Sequence, residues 1–97
     1  MELKLKEIGE ILGLRETGSR LRQQIELALS KNEKVLLDFD EVESVSSSFA
    51  DELIAKLFVS LGAITFTKNI QLKNVNSFTK TIINACIKDR LNDITEC

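Results

Sequence analysis

The sequence predicts an α/β fold: a small, mainly parallel or mixed four-stranded sheet with about three helices. Three observations carry this expectation. Short segments of strand period alternate along the chain with longer segments of helical period. Their order, strand then helix then strand, needs crossover connections, and these favour parallel pairing. Finally, 97 residues with 43% hydrophobic and 29% charged side chains suit one compact core and leave no room for two.

The elements follow in order. Leu3 and Leu5 alternate with Glu2, Lys4 and Lys6, the pattern of a half-buried strand. Gly9, Gly13 and Gly18 punctuate the next stretch and predict turns. Leu21, Ile25, Ala28 and Leu29 share one helical face, which predicts a helix from about Ser19 to Ser30, with Lys31 to Glu33 as the turn out. Val35 to Phe39 is short, apolar and rich in strand formers, as expected of a central strand covered on both faces. From Ser48 the period becomes helical, with Phe49, Leu53, Leu57 and Leu61 on one stripe. Ser48 is the expected N-cap, Asp51 its capping-box partner and Gly62 the stop. Ala63 to Phe66 and Ile70 to Val75 are the last expected strands. Asn76 or Ser77 then caps a helix carrying Phe78, Ile82, Ala85, Cys86 and Ile87. Residues 1–91 are expected to form a single domain and 92–97 a loose C-terminal tail.

Composition excludes several classes of function. The chain has no His, Trp, Tyr or Pro and a net charge of −2. No His-based nucleophile pair or general base is available, so no catalytic residue is assigned. Nothing favours nucleic acid or an anionic membrane as partner. Of two cysteines, Cys86 is expected to be buried and Cys97 exposed, which gives neither a disulfide framework nor a metal site. No cofactor is expected, and the chain is placed in the cytoplasm. The spacing of Gly9, Gly13 and Gly18 matches no nucleotide-binding loop.

One segment stands apart: VLLDFDEVESVSSSFADELIAKL, from Val35 to Leu57. It reads as a buried strand, an acidic turn, three serines and a buried helix. It resembles the core motif of STAS domains, the group of anti-sigma-factor antagonists and sulfate-transporter domains. Val35 to Asp38 match the strand, Val42 and Val45 the apolar loop positions, and Ser46, Ser47 and Ser48 the small-residue run. It is most similar to a bacterial STAS-like family with a DF-x-x-V strand exit and an S-S-F-A-D-E helix start. Asp38, Phe39 and Val42, then Ser47 to Glu52, carry that pattern, and Arg15, Gly18, Arg20 and Leu21 fit its first helix. Two positions depart from the antagonists: Ser46 stands where they have Asp, and Phe49 where they have Gly.

The resemblance implies a non-catalytic regulatory module that binds a protein, such as a histidine-kinase-like ATPase. It implies a phosphoserine at Ser47, where helix-end N–H groups favour a phosphate. Its binding surface would be Asp40, Glu41, Glu43, Ser46, Ser47 and Ser48. Against this, the serines also suit simple helix capping, and Asp38, Asp40, Asp51 and Glu52 read as a solvated acidic rim. Arg15, Arg20 and Arg22 cluster at the first helix and could clamp an anion. A small nucleotide- or anion-binding subunit is therefore the alternative, and a homodimer stays open.

Overall fold

The computed structural model describes residues 1–95, with side chains through Asp93; the expected exposure of Cys97 lies outside them. The described residues form an α/β domain with four helices and two parallel sheets, of three strands and two. Strand β1 is Glu2–Lys4, β2 Ile11–Leu12, β3 Val35–Asp38, β4 Ser44–Val45 and β5 Ile70–Lys73. Helix α1 is Arg15–Ser30, α2 the continuous helical run 47–61, α3 Ala63–Asn69 and α4 Ser77–Thr95. The larger sheet has the order β1-β3-β5, and β2 pairs with β4.

Register explains why β3 is central. Leu37 lies between Leu3 and Leu72, and Asp38 between Lys4 and Lys73. Because side chains alternate between faces, Val35, Leu37 and Ile70 enter the core. The other face carries Glu2, Lys4, Gln71 and Lys73, all exposed, around a half-buried Leu36 and the buried carboxylate of Asp38. The expected cover on both faces of the central strand is therefore absent: short strands leave too few apolar side chains for a second layer.

Several boundaries differ from expectation for local reasons. Strand β1 stops at Lys4, and Leu5 is fully buried in a 3₁₀ turn, Leu5–Glu7. Helix α1 begins at Arg15, so Gly18 lies inside it rather than in a turn. A Cβ on Gly18 would lie 3.0 Å from the Phe49 carbonyl oxygen and 3.1 Å from Glu52 Cβ. The missing side chain lets α1 approach α2 closely.

The stretch from Ala63 is a helix, not the expected strand. Gly62, at φ 85°, ends α2 and redirects the chain. Only Phe66 is then buried, against Phe58 with ring centroids 5.3 Å apart, so the apolar pattern has no period of two. In α4 the buried positions are Thr79, Ile83 and Cys86, while Phe78 is 61% exposed. The stripe is shifted by one residue, and Asn76 caps the helix, its Oδ1 accepting from Thr79 N at 2.8 Å. Helix α4 also runs on to Thr95, past the boundary expected at Leu91. Among the described residues, no helix is long and apolar enough to cross a membrane.

Candidate functional site

The loop from Asp40 to Ser48 leaves the carboxyl end of β3 and is clamped from two sides. Glu43 N donates to the Glu10 carbonyl and Ser46 N to the Leu12 carbonyl, each at 2.8 Å. From the opposite side, Asn76 Nδ2 donates to the carbonyls of Val42 and Glu43. Val42 and Val45 are buried anchors. These contacts fix the loop and leave Asp40, Glu41, Glu43 and Ser47 exposed. Glu41 adopts φ 64°, unusual for a side chain of this kind, and its carboxylate takes a 2.6 Å contact from Lys6. That lysine holds the Glu41 carboxyl below its usual range, and Glu41 in turn raises Lys6.

Ser46, not Ser48, caps α2. Its Oγ accepts from Phe49 N at 3.0 Å and donates to the Gly13 carbonyl at 2.8 Å. The cap thus also ties the helix start to the segment before α1. Ser47 is exposed in the first turn, and Ser48 is half-buried. Cys86, buried as expected, donates its thiol to the Ser47 carbonyl at 3.4 Å. Burial pushes that thiol's pKa up.

Asp38 is buried rather than on a solvated rim. Its Oδ1 accepts from Asn74 Nδ2 at 2.9 Å and from Asp40 N at 3.0 Å, and these bonds hold its carboxyl below the usual range.

Behind the helix start lies a charge cluster that joins three helices. Asp51 is no capping-box residue: it takes Arg90 Nε at 2.5 Å and Nη2 at 2.7 Å, and Arg15 Nη1 at 3.1 Å. Glu52, buried, takes Lys56 Nζ at 2.6 Å, Arg15 Nη1 at 2.8 Å and Arg22 Nη2 at 3.3 Å. Arg90 and then Arg15 depress the Asp51 carboxyl. Lys56 and Arg15 bring Glu52 down to about 2.

The backbone cooperates. Residues Asp51–Ala55 wind as a π-helix, so Lys56 N–H reaches the Asp51 carbonyl. The Glu52 carbonyl then accepts from Arg22 Nε at 2.8 Å. Single π turns of this kind recur at functional sites.

The structure therefore brings the serines, the acidic loop and the first-helix arginines to one end of the molecule, but it gives the arginines work already. Arg15 and Arg22 hold Glu52, while Arg20, exposed on the next turn, has no ion pair among the described residues. A family model described as a STAS-like domain of unknown function (DUF4325) matches residues 17–80. The chain belongs to this STAS-like family. No curated protein and no solved structure matches it. The STAS-like match takes in the whole loop, Arg20, Arg22, Asp51, Glu52 and Lys56, whereas Arg15 and Arg90 fall outside it.

Sequence reasoning missed Lys56 and Arg90, and also the exposed apolar residues beside the loop. The spacing of Glu52 and Lys56 by four is a helix pair legible in the sequence. Arg90 carried no signal, because its partner is 39 residues away.

Proposed function

We propose that this STAS-like chain is a non-catalytic regulatory module that docks a protein partner on the Asp40–Ser48 loop and the start of α2. One observation carries the reading: Ser47 is exposed at a helix start while three large apolar side chains stand exposed on segments bonded to its loop. Ile11, 70% exposed, pairs with Ser44. Leu14, 69% exposed, follows the glycine that accepts from Ser46, and Phe78 follows two residues after Asn76. Exposed apolar side chains on the segments flanking an acidic loop with a modifiable hydroxyl suit a regulated protein interface better than a small-molecule site. Likeness to the anti-sigma-factor antagonists supports a histidine-kinase-like ATPase as partner and phosphorylation of Ser47 as the switch. Charge added there would meet Asp51 one turn on and the two arginines that Asp51 holds.

The test is capture of the partner from the native cell, followed by titration calorimetry. Asp40→Lys with Glu43→Lys should weaken the complex by about 1–3 kcal/mol, as expected for rim charges meeting basic groups. Glu41 is left alone because its backbone is strained. Ser47→Asp should weaken it too. Unchanged affinity in both folded variants sinks this surface. The rival reading is an anion site at Arg15, Arg20 and Arg22. It gains only if no partner is captured and a nucleotide raises the melting temperature, an effect abolished by Arg20→Ala.

A further inference from the structure

Charge is strongly segregated along the chain. No acidic side chain occurs between Glu52 and Asp89, a stretch that carries Lys56, Lys68, Lys73, Lys80 and Lys88. The rest of the chain holds eight basic and fifteen acidic side chains. Lys56 is paired with Glu52. The side chains of the other four lysines are exposed and form no ion pair or hydrogen bond among the described residues.

The acid-free stretch runs through most of α2, all of α3 and β5, and most of α4. Strand β5 is an edge of the larger sheet, bonded to β3 on one side only. Beside it runs a groove of about 440 Å³ lined by Leu72, Asn74 and Val75 on the strand side and Lys80, Ile83 and Asn84 on α4. Leu72, Val75 and Ile83 give it an apolar floor. Lys80, Asn84 and Lys88, spaced by four, share one face of α4. Asp38, on the adjoining strand β3, is already bonded to Asn74 and to the Asp40 amide.

We propose that this edge and groove bind an extended acidic peptide segment, added to β5 as a further strand. The proposal is independent of the loop surface described above. Three features select the occupant. An unpaired strand edge offers backbone N–H and C=O groups at strand spacing, which a peptide can match and a nucleic acid cannot. The apolar floor accepts alternate side chains of a strand. The lysines complement acidic side chains at the intervening positions. Lysines on a strand edge also repel a second copy of the same edge, so an acidic strand is favoured over self-pairing.

The probe is a fluorescein-labelled peptide of about ten residues alternating valine and glutamate, followed by fluorescence anisotropy with the full chain. Saturable binding is expected, with chemical-shift changes at the amides of Ile70 to Lys73. Lys73→Glu with Lys80→Glu should weaken it roughly tenfold or more. The same peptide with alternate backbone amides N-methylated should bind the unmodified protein at least about tenfold more weakly, since strand addition needs those donors. This second comparison leaves the protein untouched, so it holds even if the charge-reversed variant fails to fold. The idea is overturned if no binding saturates at millimolar peptide, or if N-methylation makes no difference. It is equally overturned if single-stranded oligonucleotides or anionic phospholipid vesicles bind more tightly with the same lysine dependence, which would make the surface a general anion patch.

Discussion

Helices α2 and α4 start in the same way and are held in opposite ways. Each begins with a side-chain oxygen accepting from the amide three residues on, Ser46 to Phe49 and Asn76 to Thr79. Beyond the cap they diverge. In α2, Phe49, Ala50, Glu52, Leu53, Ile54, Ala55 and Leu57 are all buried. In α4, only Thr79, Ile83 and Cys86 are buried among the described side chains, with Phe78 and Leu91 exposed. Capping contributes about 1 kcal/mol to either helix, so packing makes the difference. Helix α2 belongs to the core. Helix α4 rests on it through a narrow stripe and a few polar anchors, and such elements open locally at lower cost. The family match covers all of α2 and only the first turn of α4.

The largest expected effect tests this contrast directly. Leu53→Asp places a carboxylate where the side chain has no exposure. The cost of several kcal/mol is comparable to the whole stability of a domain this size. Circular dichroism should show an unfolded or barely folded chain. Phe78→Asp, the matching change on α4, should shift stability by no more than about 0.5 kcal/mol. Equal losses in the two variants would break the distinction.

Acid should loosen α2 through Glu52. Glu52 sits near 2 in the folded chain, against an ordinary glutamate value of about 4.3. A folded value below the unfolded one gives stability that is complete above the unfolded value and lost as pH falls through the folded one. The contribution is at most about 3 kcal/mol, and less because Arg15 is half exposed and screened. Stability of the parent should therefore fall between roughly pH 4.5 and 2. In Glu52→Gln that slope should flatten, and an unchanged acid titration would remove Glu52 from the account.

A gain is expected at Thr79. Its side chain is buried, and Oγ1 has no hydrogen-bond partner among the described residues. Replacing an unsatisfied buried hydroxyl with a methyl of similar shape removes a desolvation cost. Thr79→Val should raise stability by about 1 kcal/mol, read as a higher melting temperature. A loss instead would mean that the hydroxyl has a partner in solution.

The difference between the two helices also sets how much could be read in advance. The Phe49-Leu53-Leu57 stripe was legible because burial repeats it over several turns. The strand Val35 to Asp38 was legible because it is a short run of strand formers. In α4 the phase was misread, because several apolar side chains spread round the helix. The arginine cluster was legible as a cluster, but its charge partners were not. Arg15 finds Asp51 and Glu52 across 36 and 37 residues of chain, and Gly18 makes that approach close. The π winding leaves no mark in local residue preference and follows from how the helices fit after they form. The open face of the sheet is written in the alternation of Glu2-Leu3-Lys4 and Ile70-Gln71-Leu72-Lys73, and only the apolar run of the central strand hides it.

A small effect is expected at Arg90, and it sharpens the contrast most. Arg90 ties the second half of α4 to α2 through two bonds to Asp51. Its side chain is 36% exposed, so the pair contributes no more than about 1 kcal/mol. Arg90→Met keeps the aliphatic stem and removes the charge. If α4 is an element anchored by few contacts, the melting temperature should barely move. Amide exchange of residues 87–93 should nevertheless quicken by roughly threefold or more, because local opening there no longer breaks the ion pair. Unchanged exchange would mean that Ile83, Cys86 and Ile87 hold the helix without Arg90. A fall in melting temperature on the scale of Leu53→Asp would make α2 and α4 one cooperative unit, and the packing difference would then have no counterpart in stability.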